Sequence, residues 1–315
     1  FLDAVEMTYS KTKADELIAF RNEEIDLVLD IPVEEVDNVL SSLAEAKDGA
    51  NPKHKVDSKS SMSVQYLGFN NAVAPFDDVS VRRAFNLAID REAIVDTWLE
   101  GEGWVLGNGF VPKMPDYPNE SIVGHAFDLL KARALLDEAG YKDRSKFPKI
   151  DLYVNAIEGS SSHKMAQGVV FSLKQNLGID LNIILCSIDE RDKFIEEGKA
   201  IFWRSGWVAD YPDPENFLNI FLSSANGDLS NKSLNTFNYK NPEFNELFKL
   251  SRRELNREKR MEMLAKCDQM IIDDAVVMPM LTEDFVTMVN LRIRRFVSNE
   301  LEQIDFSSIF IKEIN

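Results

Sequence analysis

A chain of 315 residues, 44% of them apolar and including 20 Phe and 4 Trp, can form one large domain or two ordinary ones around a real core, which excludes general disorder. Its formal charge of −17, from 53 acidic and 36 basic residues, disfavours nucleic acid and anionic membrane surfaces and leaves cationic or zwitterionic ligands compatible. Cys186 and Cys267 are too few for a disulfide scaffold and leave either one bridge or two buried thiols, and His54, His125 and His163 show no metal-ligand spacing, so no metal is expected.

Residues 4–8 read as extended, 11–21 as a helix, 25–29 as extended and 33–46 as a helix, an α/β rhythm. The polar segment AKDGANPKHKVDSKSS, with Gly49 and Pro52, is expected to be a surface loop near a domain boundary. In VQYLGFN, Val64 and Tyr66 share one strand face. Asp78 is suited to cap a helix whose Val81, Ala84, Phe85, Ala88 and Ile89 form one buried stripe. Asp90 opens a second helix with Ile94, Val95, Trp98 and Leu99, and Gly101 sits where a left-handed C-cap is expected.

After a loop with Pro112, Pro115 and Pro118, Asp128 caps a helix with Leu129, Ala132, Leu136 and Ala139 on one side, ended by Gly140. Ile150, Leu152 and Val154 alternate as a strand; Met165, Val169, Leu173 and Leu177 mark a helix stopped by Gly178; Ile179, Leu181 and Ile183 alternate again. This order implies crossover connections and a largely parallel or mixed sheet. A strand over 201–208 then runs into a loop at Asp210, and Asp213, just before Pro214, is most simply the N-cap of a helix over 215–221. Helices near 243–255 and 257–273 and strands at VVMPML and FVTMV complete the chain. No apolar run is long enough to span a bilayer, no signal-peptide pattern is present, and a start at Phe1 reads as a piece of something longer.

Four segments carry a family resemblance. They are LGFNNAVAPFDDVSVRRAFNLAIDREAIVD, FDLLKARALLDEAGY, WRSGWVADYPDPENFL and REKRMEMLAKCDQMIIDDAVVMPML. The first is the most specific, through Asn70, Pro75, Phe76, Asp78, Val81, Arg82, Ala84, Ala88, Asp90 and Arg91. Together they resemble family 5 of the bacterial extracellular solute-binding proteins, the peptide- and nickel-binding group that includes oligopeptide- and dipeptide-binding proteins. The resemblance implies an α/β fold of the periplasmic-binding-protein-like type II, with two lobes that close around a solute. Residues 1–64 and 290–315 would be pieces of lobe I and 70–285 would be lobe II, with the N-terminal part of lobe I absent.

The implied function is that of an extracytoplasmic substrate-binding component of an ABC importer, periplasmic or at the cell surface. It would bind oligopeptides or dipeptides between its lobes and deliver them to the permease subunits. A monomer is expected, with no cofactor, no nucleic acid and no membrane contact beyond a lipid anchor outside this chain. In the oligopeptide-binding branch, the Asp of a Gly-Trp-x-Ala-Asp-Tyr stretch binds the peptide's α-ammonium. Here that stretch is Gly206, Trp207, Val208, Ala209, Asp210 and Tyr211. Asp210 would take the amine, Gly206 and Val208 would offer backbone groups, Trp207 an apolar wall and Arg204 a ligand-side charge, with Tyr211 alongside.

Simpler readings stand beside these. Trp207 and Tyr211 suit a core equally well, Arg204 can pair with any nearby carboxylate, and an Asp beside Pro is more often a turn or cap than a ligand group. A hydrolase using Asp210 with Asp213, or Asp273 with Asp274, is disfavoured because Asp213 is explained as a cap and neighbouring residues at a helix end point in different directions. No GxSxG, SxxK, P-loop or GxGxxG motif is present, so an enzyme is not expected. A third reading keeps the fold but gives it a nickel chelate, haem or sugar as ligand.

Overall fold

The computed structural model describes residues 2–29, 31, 38, 39, 41, 54–223 and 234–312, and the chain divides into two compact units, 1–62 with 283–315 and 63–282. In chain order the strands among the described residues are β1 (Leu27–Val28), β2 (His54–Ser60), β3 (Ser63–Phe69), β4 (Trp104–Val105), β5 (Ile150–Asn155) and β6 (Leu181–Cys186). They continue with β7 (Phe202–Val208), β8 (Val277–Thr282), β9 (Asp284–Asn290), β10 (Ile293–Arg294) and β11 (Phe310–Ile311).

In the smaller unit, β9 pairs antiparallel with both β1 and β2, and the Lys13–Arg21 helix packs Leu17 and Phe20 with Val28 and Met288. Thr12 caps this helix by accepting the Asp15 amide at 3.1 Å. Residues 54–60, expected to be loop, are instead the strand β2, paired with β9 from His54↔Asn290 to Ser60↔Asp284. Their polar composition suits an edge strand, where charged residues such as Lys55 and Lys59 discourage further pairing. Residues 4–8 join no sheet, and the helix expected over 33–46 lies mostly outside the described residues.

The larger unit is built on a six-stranded sheet of order β4-β8-β3-β7-β5-β6. It is mixed: β5 runs parallel to β6 and β7, whereas β3 is antiparallel to β7 and β8. Alternation puts Leu67, Phe69, Phe202, Leu152 and Val154 on one face. There they are buried with Phe85 of the Val79–Leu87 helix, Ile94 of Arg91–Trp98, Leu136 of Leu129–Leu136 and Val169 of Ser161–Leu177. The opposite face carries Tyr66, edge-on to Phe110 and tilted against Phe237, and Trp203, which stacks with Phe237, itself stacked with Phe221. Gly68 faces Trp203 across the ladder, and a Cβ there would lie 2.5 Å from the indole, so no larger residue fits without moving the ring.

The helix starts follow local chemistry. Asp78, Asp90 and Asp128 accept the amides of Ser80, Ala93 and Lys131 at 2.7, 3.1 and 3.0 Å, each such cap contributing about 1 kcal/mol. At the C-cap expected for Gly101, Glu100 and Gly101 both take positive φ, 55° and 87°, and the Gly101 amide reaches Val95 O at 3.0 Å. Cys186 and Cys267 are free thiols, and burial pushes Cys267 up to about 12.

Buried guanidinium groups tie the first helices to the end of the Arg257–Asp273 helix and to β8. Arg82 donates to the carbonyls of Phe76, Asp274 and Ala275, and Arg91 to those of Pro279, Asn86 and His125 and to Asn86 Oδ1. Burial lowers both to about 10, which leaves them protonated at neutral pH. Asp268, also buried, accepts Phe110 N, Val111 N and Tyr117 Oη at 2.7, 3.1 and 3.1 Å.

Arg91→Met strands these acceptors and should lower the unfolding free energy by about 3 kcal/mol or more in urea titration. Burial outweighs the three donors and pushes Asp268 up to about 6 from 3.8. The folded protein therefore holds this proton more tightly than the unfolded chain. Asp268's contribution to stability falls as pH rises from about 4 to about 6, and Asp268→Asn should remove that part of the pH profile.

Candidate functional site

The sequence-predicted residues lie where β7 leaves the sheet. Pairing of β7 with β3 continues to Ser63↔Val208, but pairing with β5 ends at Val154↔Arg204. Beyond Arg204, the edge of β7 facing β5 therefore has no strand partner among the described residues. An edge of this kind presents main-chain donors and acceptors in the spacing an added strand would use.

Alternation divides the predicted set. Arg204, Gly206 and Val208 share the face of Phe202, while Trp207 points to the opposite face with Trp203 and Ser205. Arg204 is half-buried and donates from Nη2 to Gln65 Oε1, and the Gln65 side chain lies beside the exposed Gly206, where a Cβ would meet Oε1 at 2.7 Å. Val208 and Tyr211 are exposed. On the Trp207 face, Arg191 of the Ile188–Glu196 helix donates to Ser205 Oγ at 3.2 Å and Asn155 Oδ1 at 2.7 Å, fixing the carboxyl ends of β5 and β7 to one another.

A second group forms after the strand. Asp213 caps the Pro214–Leu218 helix through the Glu215 amide at 2.9 Å, with Pro214 at the first helical position as expected. Its carboxylate is also gripped by Arg260, Nη1 to Oδ2 at 2.7 Å and Nη2 to Oδ1 at 2.9 Å, and Arg260 reaches Glu215 at 3.2 Å. Hydrogen bonding to Asp213 raises Arg260 above the ordinary guanidinium range.

The short helix carries Asn216, buried at 6% exposure, to the base of the loop. Asn216 Oδ1 accepts the Trp207 indole N–H at 2.7 Å and the Asp210 amide at 3.3 Å, and Nδ2 donates to Asp210 Oδ2 at 3.2 Å. Among the described residues, side-chain contact to the exposed Asp210 carboxylate comes from this neutral amide alone. Tyr211, although exposed, is raised, chiefly by partial desolvation of its ring and then by the charge of Glu215, with a hydrogen bond from Asn216 opposing the rise.

The two neighbouring carboxylates thus differ in kind. Asp213 is ion-paired with a guanidinium, and Asp210 is exposed and hydrogen-bonded to a neutral amide. Asn216, Arg260 and Gln65 were not among the predicted residues; the partners of Asn216 lie 6 and 9 positions away, and those of Arg260 and Gln65 at Asp213 and Arg204 lie 47 and 139 positions away. Asp273 and Asp274 turn to different partners, Gln269 and the pair Tyr239 and Asn241.

Beyond the carboxyl ends of β5 and β6 lies an open cleft of about 540 Å³, lined by Asn155, Ala156, Ile157, Glu158, Leu185, Cys186, Ser187 and Ile188. Open α/β sheets receive ligands at this end. Among the described residues there is no cluster of three or more metal-ligating side chains, and no helix is long and apolar enough to cross a membrane.

The family model for bacterial extracellular solute-binding proteins, family 5 Middle, matches residues 1–228. Heme-binding protein A of Haemophilus influenzae is 28% identical over 257 residues, 81% of this chain and 45% of that protein. The oligopeptide-binding protein OppA of Bacillus subtilis is 30% identical over 243 residues, 73% of this chain and 42% of that protein. The crystal structure of a periplasmic oligopeptide-binding protein, OppAIV of Borrelia burgdorferi, superposes with a TM-score of 0.81 at 24% identity, over 96% of this chain and 57% of that one, a likeness of fold. The chain therefore spans less than half the length of these two curated relatives.

If Asp213 is structural and Asp210 is not, their neutral variants separate by stability. Asp213→Ala should lower the unfolding free energy by about 2 kcal/mol through loss of cap and ion pair, whereas Asp210→Ala should stay within about 0.5 kcal/mol of wild type in urea titration.

Proposed function

Because this chain belongs to family 5 of the bacterial extracellular solute-binding proteins, we propose that it is part of a substrate-binding component of an ABC importer, taking up oligopeptides or dipeptides outside the cytoplasmic membrane and handing them to permease subunits. It acts as a monomer and carries out no chemistry on its cargo. Asp210 is the carboxylate that receives the peptide's α-ammonium. The observation that carries this reading is the contrast in the loop: Asp213 is matched by Arg260, while Asp210 is met by a neutral amide. A charge-assisted bond to an ammonium is stronger than a neutral one and carries specificity for a free amine.

Residues 205–208 of β7 pair with the peptide main chain along the edge left open by β5, a mode that tolerates many side chains because the contacts are to backbone. The pieces of lobe I are 1–64 and 290–315 and lobe II is 70–285. Arg204, on the same face as Gly206 and Val208, supplies a positive charge on the ligand side, and Trp207 and Tyr211 supply apolar wall.

The similarity to a haem-binding protein supports a second reading, a non-peptide solute in the same fold. Haem iron calls for an axial side chain and haem propionates for cations. Here His125 Nε2 is engaged with Ile272 O at 2.8 Å and His163 Nδ1 accepts the Gly159 amide at 2.9 Å, while the available charge in the loop is negative, which favours an amine.

Calorimetric titration of the intact protein with short peptides checks this. Asp210→Ala and N-acetylation of the peptide should each weaken binding by about tenfold or more. Unchanged affinity in both would refute the role of Asp210, and steady product formation from the same peptides would overturn the non-enzymatic reading.

A further inference from the structure

We propose that Asn216 is the positioning residue of the amine site, setting the Asp210 carboxylate and the Trp207 indole with a neutral group that leaves the carboxylate's charge whole. This rests on the reading of Asp210 given above. Three contacts converge on one buried side chain: Trp207 Nε1 to Oδ1 at 2.7 Å, Asp210 N to Oδ1 at 3.3 Å, and Nδ2 to Asp210 Oδ2 at 3.2 Å.

The orientation of the amide follows from its partners. An indole N–H and a backbone N–H can only donate, so the oxygen must face them, and the two bonds use both of its lone pairs. The nitrogen is left facing Asp210, where a carboxylate can only accept. A buried amide that loses such partners is costly, so the group holds one arrangement rather than several.

The choice of a neutral residue has a functional consequence. A Lys or Arg in this place would fix Asp210 as firmly, as Arg260 holds Asp213, but would compete with an incoming ammonium. An aliphatic residue would leave Asp210 charged but free to swing and would strand the indole and amide donors. Asn216 fixes without neutralising. It stands at the third residue of a helix whose start is pinned by Asp213 and Arg260, so its own position is set from the Arg257–Asp273 helix.

The test is titration of the intact wild type, Asn216→Leu and Asn216→Asp with one peptide in free-amine and N-acetylated forms. Asn216→Leu should lose roughly tenfold in affinity for the free-amine peptide and little for the acetylated one, so that the ratio between the two collapses. Equal losses for both peptides, or none for either, would overturn the role of Asn216 while leaving that of Asp210 intact. A wild type indifferent to acetylation would bring down both.

Asn216→Asp decides the matter if the leucine variant does not fold. It keeps both acceptor contacts but exchanges the donor for a second carboxylate, so one of the pair should hold a proton into the range of about pH 5 to 7 and free-amine affinity should vary with pH there. A profile as flat as that of wild type would contradict the positioning role.

Discussion

Two nitrogens of Arg260 grip the two carboxylate oxygens of Asp213, with both side chains largely shielded from solvent. The geometry after β7 depends on this grip. The Pro214–Leu218 helix has five residues, too few to persist on its own, and its start is held by an ion pair made to a long helix that the core secures. Asn216 can reach back to Trp207 and Asp210 because that short helix is fixed. Two acidic residues three positions apart thereby acquire different surroundings, Asp213 held by a guanidinium and Asp210 met by a neutral amide.

The most specific part of the family resemblance does a different job. Arg82, Arg83 and Arg91 in VRRAFNLAIDR donate to main-chain carbonyls at the end of the Arg257–Asp273 helix and in or beside β8, as do Asn71 and Asn86. These are side chains that satisfy helix-end and strand carbonyls inside the molecule, where unpaired acceptors are costly. The segment that identifies the family most clearly thus secures the frame, and the less distinctive segment around Asp210 carries the chemistry proposed for it.

What was legible in the sequence was local. Asp78, Asp90, Asp128 and Asp213 cap helices because the signal sits within three residues of its target, and the buried stripe from Val81 to Ile89 follows from helical period alone. What was not legible was set at a distance. Strand β2 looks like a polar loop because its partner β9 lies more than 200 residues on and supplies the order that Lys55, Asp57 and Lys59 do not. Arg260 and Asn216 have no pattern around them that marks them as partners of Asp213 and Asp210. The division between Arg204 and Trp207 is a different case, since residues three apart on a strand face opposite ways and the sequence already contained that information.

The most direct test is a crystal structure of the intact protein with a short peptide bound. The peptide's α-ammonium nitrogen should lie about 2.7–3.2 Å from an Asp210 carboxylate oxygen, with Asn216 still between Asp210 and Trp207 and Asp213 still held by Arg260. An ammonium placed against another carboxylate, or a peptide bound with Asp210 facing solvent, would contradict the assignment.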